Sequence, residues 1–146
     1  STETTDGAIS QIILATWLLS EWAKAESPWR PWFVLLPSTF DAFPIALPDP
    51  LLAAAFEGSE LLQELREVQN AWNLTHTLLS KSSERYRSVA GSYEAFRAAR
   101  LTVLSRTHGL SGALGDALVP VADLLNHDAE APTWWGPAET GGFQLR

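Results

Sequence analysis

The chain has 146 residues, with 10 Lys and Arg against 17 Asp and Glu, a net charge of -7 and an isoelectric point near 4.8. That balance excludes nucleic acid as a primary partner, because phosphate binding needs clustered Lys and Arg, and it leaves room for a basic peptide. The absence of cysteine excludes disulfides, thiolate metal sites and a cysteine nucleophile, while an apolar fraction of 46% is that of an ordinary domain with a real core.

Residues 1–7 are polar and read as a frayed or trimmed N-terminus. A helix is predicted from Ile9 to Ala25, with Ser10 as its N-cap and apolar residues through Trp17, Leu18, Leu19 and Trp22. It should stop before Ser27-Pro28, since the residue before proline avoids helical backbone. Its longest apolar run, Ile12–Leu19, is too short to cross a bilayer, so no membrane span is expected. Pro28–Pro50 holds six of the nine prolines and reads as an irregular, aromatic-rich connection pinned to the core by Trp29, Trp32 and Phe33.

Leu51–Phe56 reads as a short helix closed by Gly58. Ser59 and Glu60 open a long helix to about Ser80, with Leu61, Leu65, Val68, Trp72 and Leu79 on its inner face. Lys81–Gly91 reads as a polar link. Ser92 caps a helix from Tyr93 to about Thr107, with Phe96, Ala99, Leu101, Val103 and Leu104 inward. His108–Gly115 is glycine-rich and reads as irregular. Short strands are expected near 117–121 and 142–146, with a loop carrying Trp134-Trp135 between them. The expected class is therefore α+β and mainly helical.

Two stretches carry chemistry. Leu118-Val119-Pro120-Val121-Ala122-Asp123-Leu124-Leu125-Asn126-His127 is an apolar run that ends abruptly in polar groups, as a buried strand does when it holds functional residues at the edge of a core. Arg106 lies twenty residues before Asn126, at a helix end. An arginine there either clamps a carboxylate through paired charge-assisted bonds or meets the last carbonyls of its own helix. Asn126 and His127 serve either as ligand-binding groups or as a polar turn. Asp123 reads as structural, tying that turn to nearby backbone donors. His76 and His108 have no partner at ligand spacing, so no metal site is expected. Asn73-Leu74-Thr75 has the glycosylation pattern but falls mid-helix, and it is discounted.

The segment at 118–127 closely resembles the "(L/I)-(V/I)-P-x-A-D-(L/I)-(L/I)-N-H" pattern of SET-domain protein methyltransferases, in the branch typified by the Rubisco large-subunit lysine methyltransferase. Ser27-Pro28-Trp29-Arg30-Pro31-Trp32 through Leu36-Pro37 resembles that family's "SPW(K/R)PY…LP" stretch. Glu57-Gly58-Ser59-Glu60-Leu61-Leu62 is similar to the "L-x-G-(S/T)-x-L" segment that follows it, and Ser105-Arg106-Thr107 stands at the family's "R-S-R-A-F" helix end. Leu104 replaces the first arginine of that motif, and Thr107-His108 replaces Ala-Phe.

The resemblance implies a partial SET domain. Residues 8–107 would form its inserted helical region, and 108–146 its cofactor-binding segment, truncated before the catalytic tyrosine motif. It implies S-adenosylmethionine as cofactor. Arg106 would sit on the cofactor's carboxylate, with Asn126 and His127 on its methionyl amine and adenine. No catalytic residue is assigned, because Tyr86 and Tyr93 match no family motif. The implied activity is protein-lysine N-methylation, with a lysine-bearing or alternatively histidine-bearing protein substrate, and this stretch alone is expected to be inactive. The alternative is a degenerate, non-catalytic module acting as a subunit or scaffold in a larger assembly. Members of the family occur in plastid, nucleus and cytoplasm, which implies an intracellular protein without fixing the compartment.

Overall fold

The structure is a computed structural model that describes residues 2–110, 115–125, 128, 130 and 132–145. It is mainly helical with two small antiparallel strand pairs, in keeping with the α+β expectation. The elements are α1 (Thr2–Trp22), α2 (Arg30–Phe33), α3 (Asp49–Ala55), α4 (Glu60–Ser82), α5 (Glu84–Ala90), α6 (Tyr93–Arg106), β1 (Thr107–Gly109), β2 (Asp116–Leu118), β3 (Trp135–Pro137) and β4 (Phe143–Leu145). Single 3-10 turns sit at Pro44–Ala46 and Ala122–Leu124. Among the described residues no helix is long and apolar enough to cross a membrane.

The core forms where α1 lies against α6. Ala15, Leu18 and Leu19 of α1 meet Phe96, Ala99, Leu101 and Val103 of α6, and Trp32, Ile45, Trp72, Tyr86 and Ala90 close around them. Residues 99–103 of α6 are all buried, so the helix has no continuous wet face. Its polar members are satisfied or stacked. Thr102 Oγ1 donates back to the Ala98 carbonyl at 2.9 Å. The Arg100 guanidinium lies over the Trp72 ring, 4.9 Å from its centroid, a cation–π geometry.

Several expectations need correction. The first helix starts at Thr2, well ahead of Ile9, and Ser10 is not its cap. The Ser10 hydroxyl lies 3.0 Å from the Gly7 carbonyl and 2.9 Å from Asp116 Oδ2, tying α1 to β2. The helix ends at Trp22 rather than Ala25. The proline-rich connection is not wholly irregular: Pro31 and Pro50 sit in the first turns of α2 and α3, and Pro44 begins a 3-10 turn. The missing N–H and fixed φ of proline suit those positions, so the prolines that argued against helix promote short ones. The polar link at 81–91 contains α5. Ser83 caps it by accepting from the Tyr86 N–H at 3.1 Å; Tyr86 and Ala90 are buried, and Val89 packs at the core margin.

The caps at Ser59 and Ser92 stand as predicted, accepting from the N–H of Leu61 and Ala95. The inner faces are narrower than predicted. Trp72 is buried, and Leu65 and Leu79 pack at the core margin, but Leu61, Val68 and Leu104 are exposed. Neighbours cover α4 along only part of its length, so its apolar stripe outruns its cover.

Candidate functional site

Arg106 is the last residue of α6, and β1 follows without a break. β1 pairs with β2 in the register Thr107↔Leu118, His108↔Ala117 and Gly109↔Asp116, inside a stretch predicted to be irregular. Leu118 therefore returns beside the helix end that carries Arg106. The strand stops there, instead of running through Val121 as expected. Pro120 supplies no ladder donor, and its ring restricts Val119. Val121 then adopts φ 78°, ψ -48°, a strained left-handed backbone for a β-branched residue, with its surface 72% exposed. The reading of Val119–Val121 as a buried strand is thus overturned. The chain turns sharply at Val121, where the Asp123 N–H donates to the Val119 carbonyl at 3.1 Å, and continues as a 3-10 turn in which the Leu124 N–H donates to the Val121 carbonyl at 3.1 Å.

That turn places Asp123 under Arg106. Arg106 Nη1 donates to the Asp123 main-chain carbonyl at 2.9 Å and lies 3.5 Å from its Oδ2. Trp32 Nε1 donates to the same Oδ2 at 2.9 Å. The Asp123 side chain is fully buried, whereas that of Arg106 keeps 20% exposure. Asp123 is therefore held by two side chains, an indole and a guanidinium, rather than by the backbone donors foreseen for it. Arg106 reaches across to the 118–125 segment and leaves the carbonyls of its own helix alone. Trp32 was read only as a core anchor, and its indole N–H is a contact the sequence reading missed. A tryptophan with a polar edge, set in a proline-rich loop, was the available signal.

Among the described residues, only Nη1 of the Arg106 guanidinium has hydrogen-bond partners, and Oδ1 of Asp123 has none. Among the described residues the arginine thus retains free donors, at a partly exposed position beside a buried carboxylate. Such a donor set fits a carboxylate ligand. Asn126 and His127, the other predicted ligands, lie outside the described residues.

The remaining candidates are structural. The His108 ring packs edge-on against Trp135 and Phe143, with centroids 5.9 and 5.4 Å away, and so joins β1 to the β3–β4 hairpin. His76 shares a 2.9 Å hydrogen bond with the Tyr86 hydroxyl, amid Tyr86, Tyr93 and Phe96. Burial pushes the Tyr86 phenol up to about 12 and raises that of Tyr93 as well. Neither phenol is poised to ionise near neutral pH. Among the described residues no three His, Asp or Glu side chains converge on one point. No family model, no curated protein and no solved structure matches the chain.

Proposed function

We propose that the chain is part of a S-adenosylmethionine-dependent protein methyltransferase of the SET class, acting on lysine, and that it supplies the cofactor-binding side of the site. The motif resemblance at 27–37, 57–62, 105–107 and 118–127 is the starting point. The observation that carries the reading is the contact of Arg106 with Asp123. Seventeen residues apart in sequence, they bring the two motifs expected to share one ligand into direct contact.

When bound, S-adenosylmethionine supplies a sulfonium methyl group, whose transfer to the lone pair of a neutral amine leaves an uncharged thioether. The residues of this chain hold and orient. Arg106 offers its unused guanidinium donors to the methionyl carboxylate. Asn126 accepts from the methionyl ammonium, and the backbone at His127 reads adenine. Asp123 is a positioning residue: it fixes Arg106 and the turn that leads into Asn126. Positioning of this kind accounts for much of the rate when the reaction needs little acid–base help.

One observation favours the non-catalytic alternative. His108, which departs from the family motif, is committed to packing against Trp135 and Phe143.

The test is methyl transfer by the full native protein that contains this sequence. It is incubated with methyl-tritiated S-adenosylmethionine and a hypomethylated lysate, and the acceptors are hydrolysed to amino acids. Label in methyl-lysine that disappears in Asn126→Ala is the expected result. Label in methylhistidine would change the target residue, and absence of label on any acceptor would refute the enzymatic reading.

A further inference from the structure

A groove of about 420 Å³ runs between α1 and the segment after it, on the side of β2. The volume falls within the range of small-molecule sites, about 300–1,000 Å³. Its walls include Trp17, Trp29 and Trp32 with Ile13 and Leu14, and Asp116 is the carboxylate-bearing residue of its lining. Three of the seven tryptophans thus share one concavity. Trp17 and Trp29 meet edge to face, their centroids 5.8 Å apart and their planes at 76°, so the two rings form a corner. The indole edge of Trp32 is fixed by its bond to Asp123, and the Asp116 carboxylate by the Ser10 hydroxyl, so these walls are held in place. Trp29 is still 38% exposed, so the corner is open to solvent.

We infer that this groove binds a methylated ammonium group, with the tryptophans around the methyls and Asp116 balancing the charge. Aromatic faces attract cations through their quadrupole, most strongly when the cation has shed its water. An unmodified ammonium is firmly hydrated and carries three donors that these walls cannot satisfy. Methylation removes donors and adds apolar surface without removing the charge. The combination of apolar walls and one carboxylate therefore selects the methylated form over both the plain amine and a neutral apolar group. Ser10 engages one oxygen of Asp116 and, among the described residues, leaves the other free. The inference stands on the groove alone and does not depend on methyl transfer.

The experiment is calorimetric titration of the full native protein with four probes. They are a short peptide bearing trimethyl-lysine, the same peptide with lysine, the same peptide with the neutral carbon isostere that carries a tert-butyl end, and choline. The trimethylated peptide should bind at least about tenfold tighter than the lysine and tert-butyl peptides. Trp29→Ala should abolish that preference, Trp29→Phe should restore much of it, and Asp116→Asn should weaken it. A peptide stronger than choline identifies a protein side chain as the source, whereas choline equal to the peptide identifies a small molecule. Both outcomes support the site. Equal binding of the tert-butyl and trimethylated peptides would overturn it, as would the absence of binding or occupation of the groove by a second copy of the chain. Circular dichroism of Trp29→Phe provides the folding control.

Discussion

Asp123 concentrates the contacts that hold residues 118–125 in place, since its Oδ2 accepts from Trp32 and faces Arg106 while its carbonyl accepts from Arg106. Removing its side chain strands a buried indole N–H and takes the carboxylate from beside Arg106, whose bond to the main-chain carbonyl remains. Asp123→Ala should therefore cost about 1–3 kcal/mol of stability in urea unfolding, with Asp123→Asn closer to wild type because an amide oxygen still accepts. If the two variants were equally mild, the carboxylate would not organise the turn. Glu21 gives a second expectation at this scale. It is buried near the end of α1, where Lys24 and then Ser27 donate to its carboxylate and hold it below the usual carboxylate range. Its folded value lies below its unfolded value of about 4.3, so its contribution is fully present above that pH and is lost as the pH falls through the folded value. Glu21→Gln should flatten the dependence of stability on pH below about pH 4, as measured by urea unfolding across that window. An unchanged slope would mean the pairing is not retained in solution.

Among the elements, α4 and α6 were the most legible in the sequence, because Ser59 and Ser92 announce their starts and the apolar spacing sustains them. Of the short helices only α3 was foreseen, over Leu51–Phe56 against the observed Asp49–Ala55. In α2 and at the start of α3 the prolines occupy first-turn positions that favour helix, whereas residue-type counting takes them as breakers. In α5 the inward residues, Tyr86, Val89 and Ala90, stand in a short polar stretch, too few to define a period. The packing of α4 on α6 depends on Arg100, which is only 6% exposed and lies over Trp72. Among the described residues its Nε and Nη1 have no hydrogen-bond partner, and burial lowers its pKa. A buried cation without a counter-ion is a cost that the aromatic face only partly offsets. Arg100→Met, which keeps the stem over the ring, should therefore leave thermal stability unchanged or raise it. A loss of more than about 2 kcal/mol would show that the charge is satisfied by a partner in solution.

At the scale of the whole molecule, the mainly helical class and the long helices followed from caps and periodicity, but the geometry of the candidate site did not. Trp32 and Asp123 are 91 residues apart, and nothing local to either predicts their bond. The sharp turn at Val121 was equally hidden, because an apolar β-branched residue reads as strand until Pro120 is seen to deny the ladder its donor. Of the segment at 118–127, the structure brings Asp123 against Arg106, and Asn126 and His127 lie outside the described residues.

The proposed function rests on that junction being one wall of a cofactor site. Its most direct test is calorimetric titration of the intact native protein with S-adenosylmethionine, in wild type, Arg106→Met and Asn126→Ala. Micromolar binding, weakened at least about tenfold by each substitution while the fold is retained, is the predicted result. No binding by the wild-type protein, or equal binding by all three, would contradict the account.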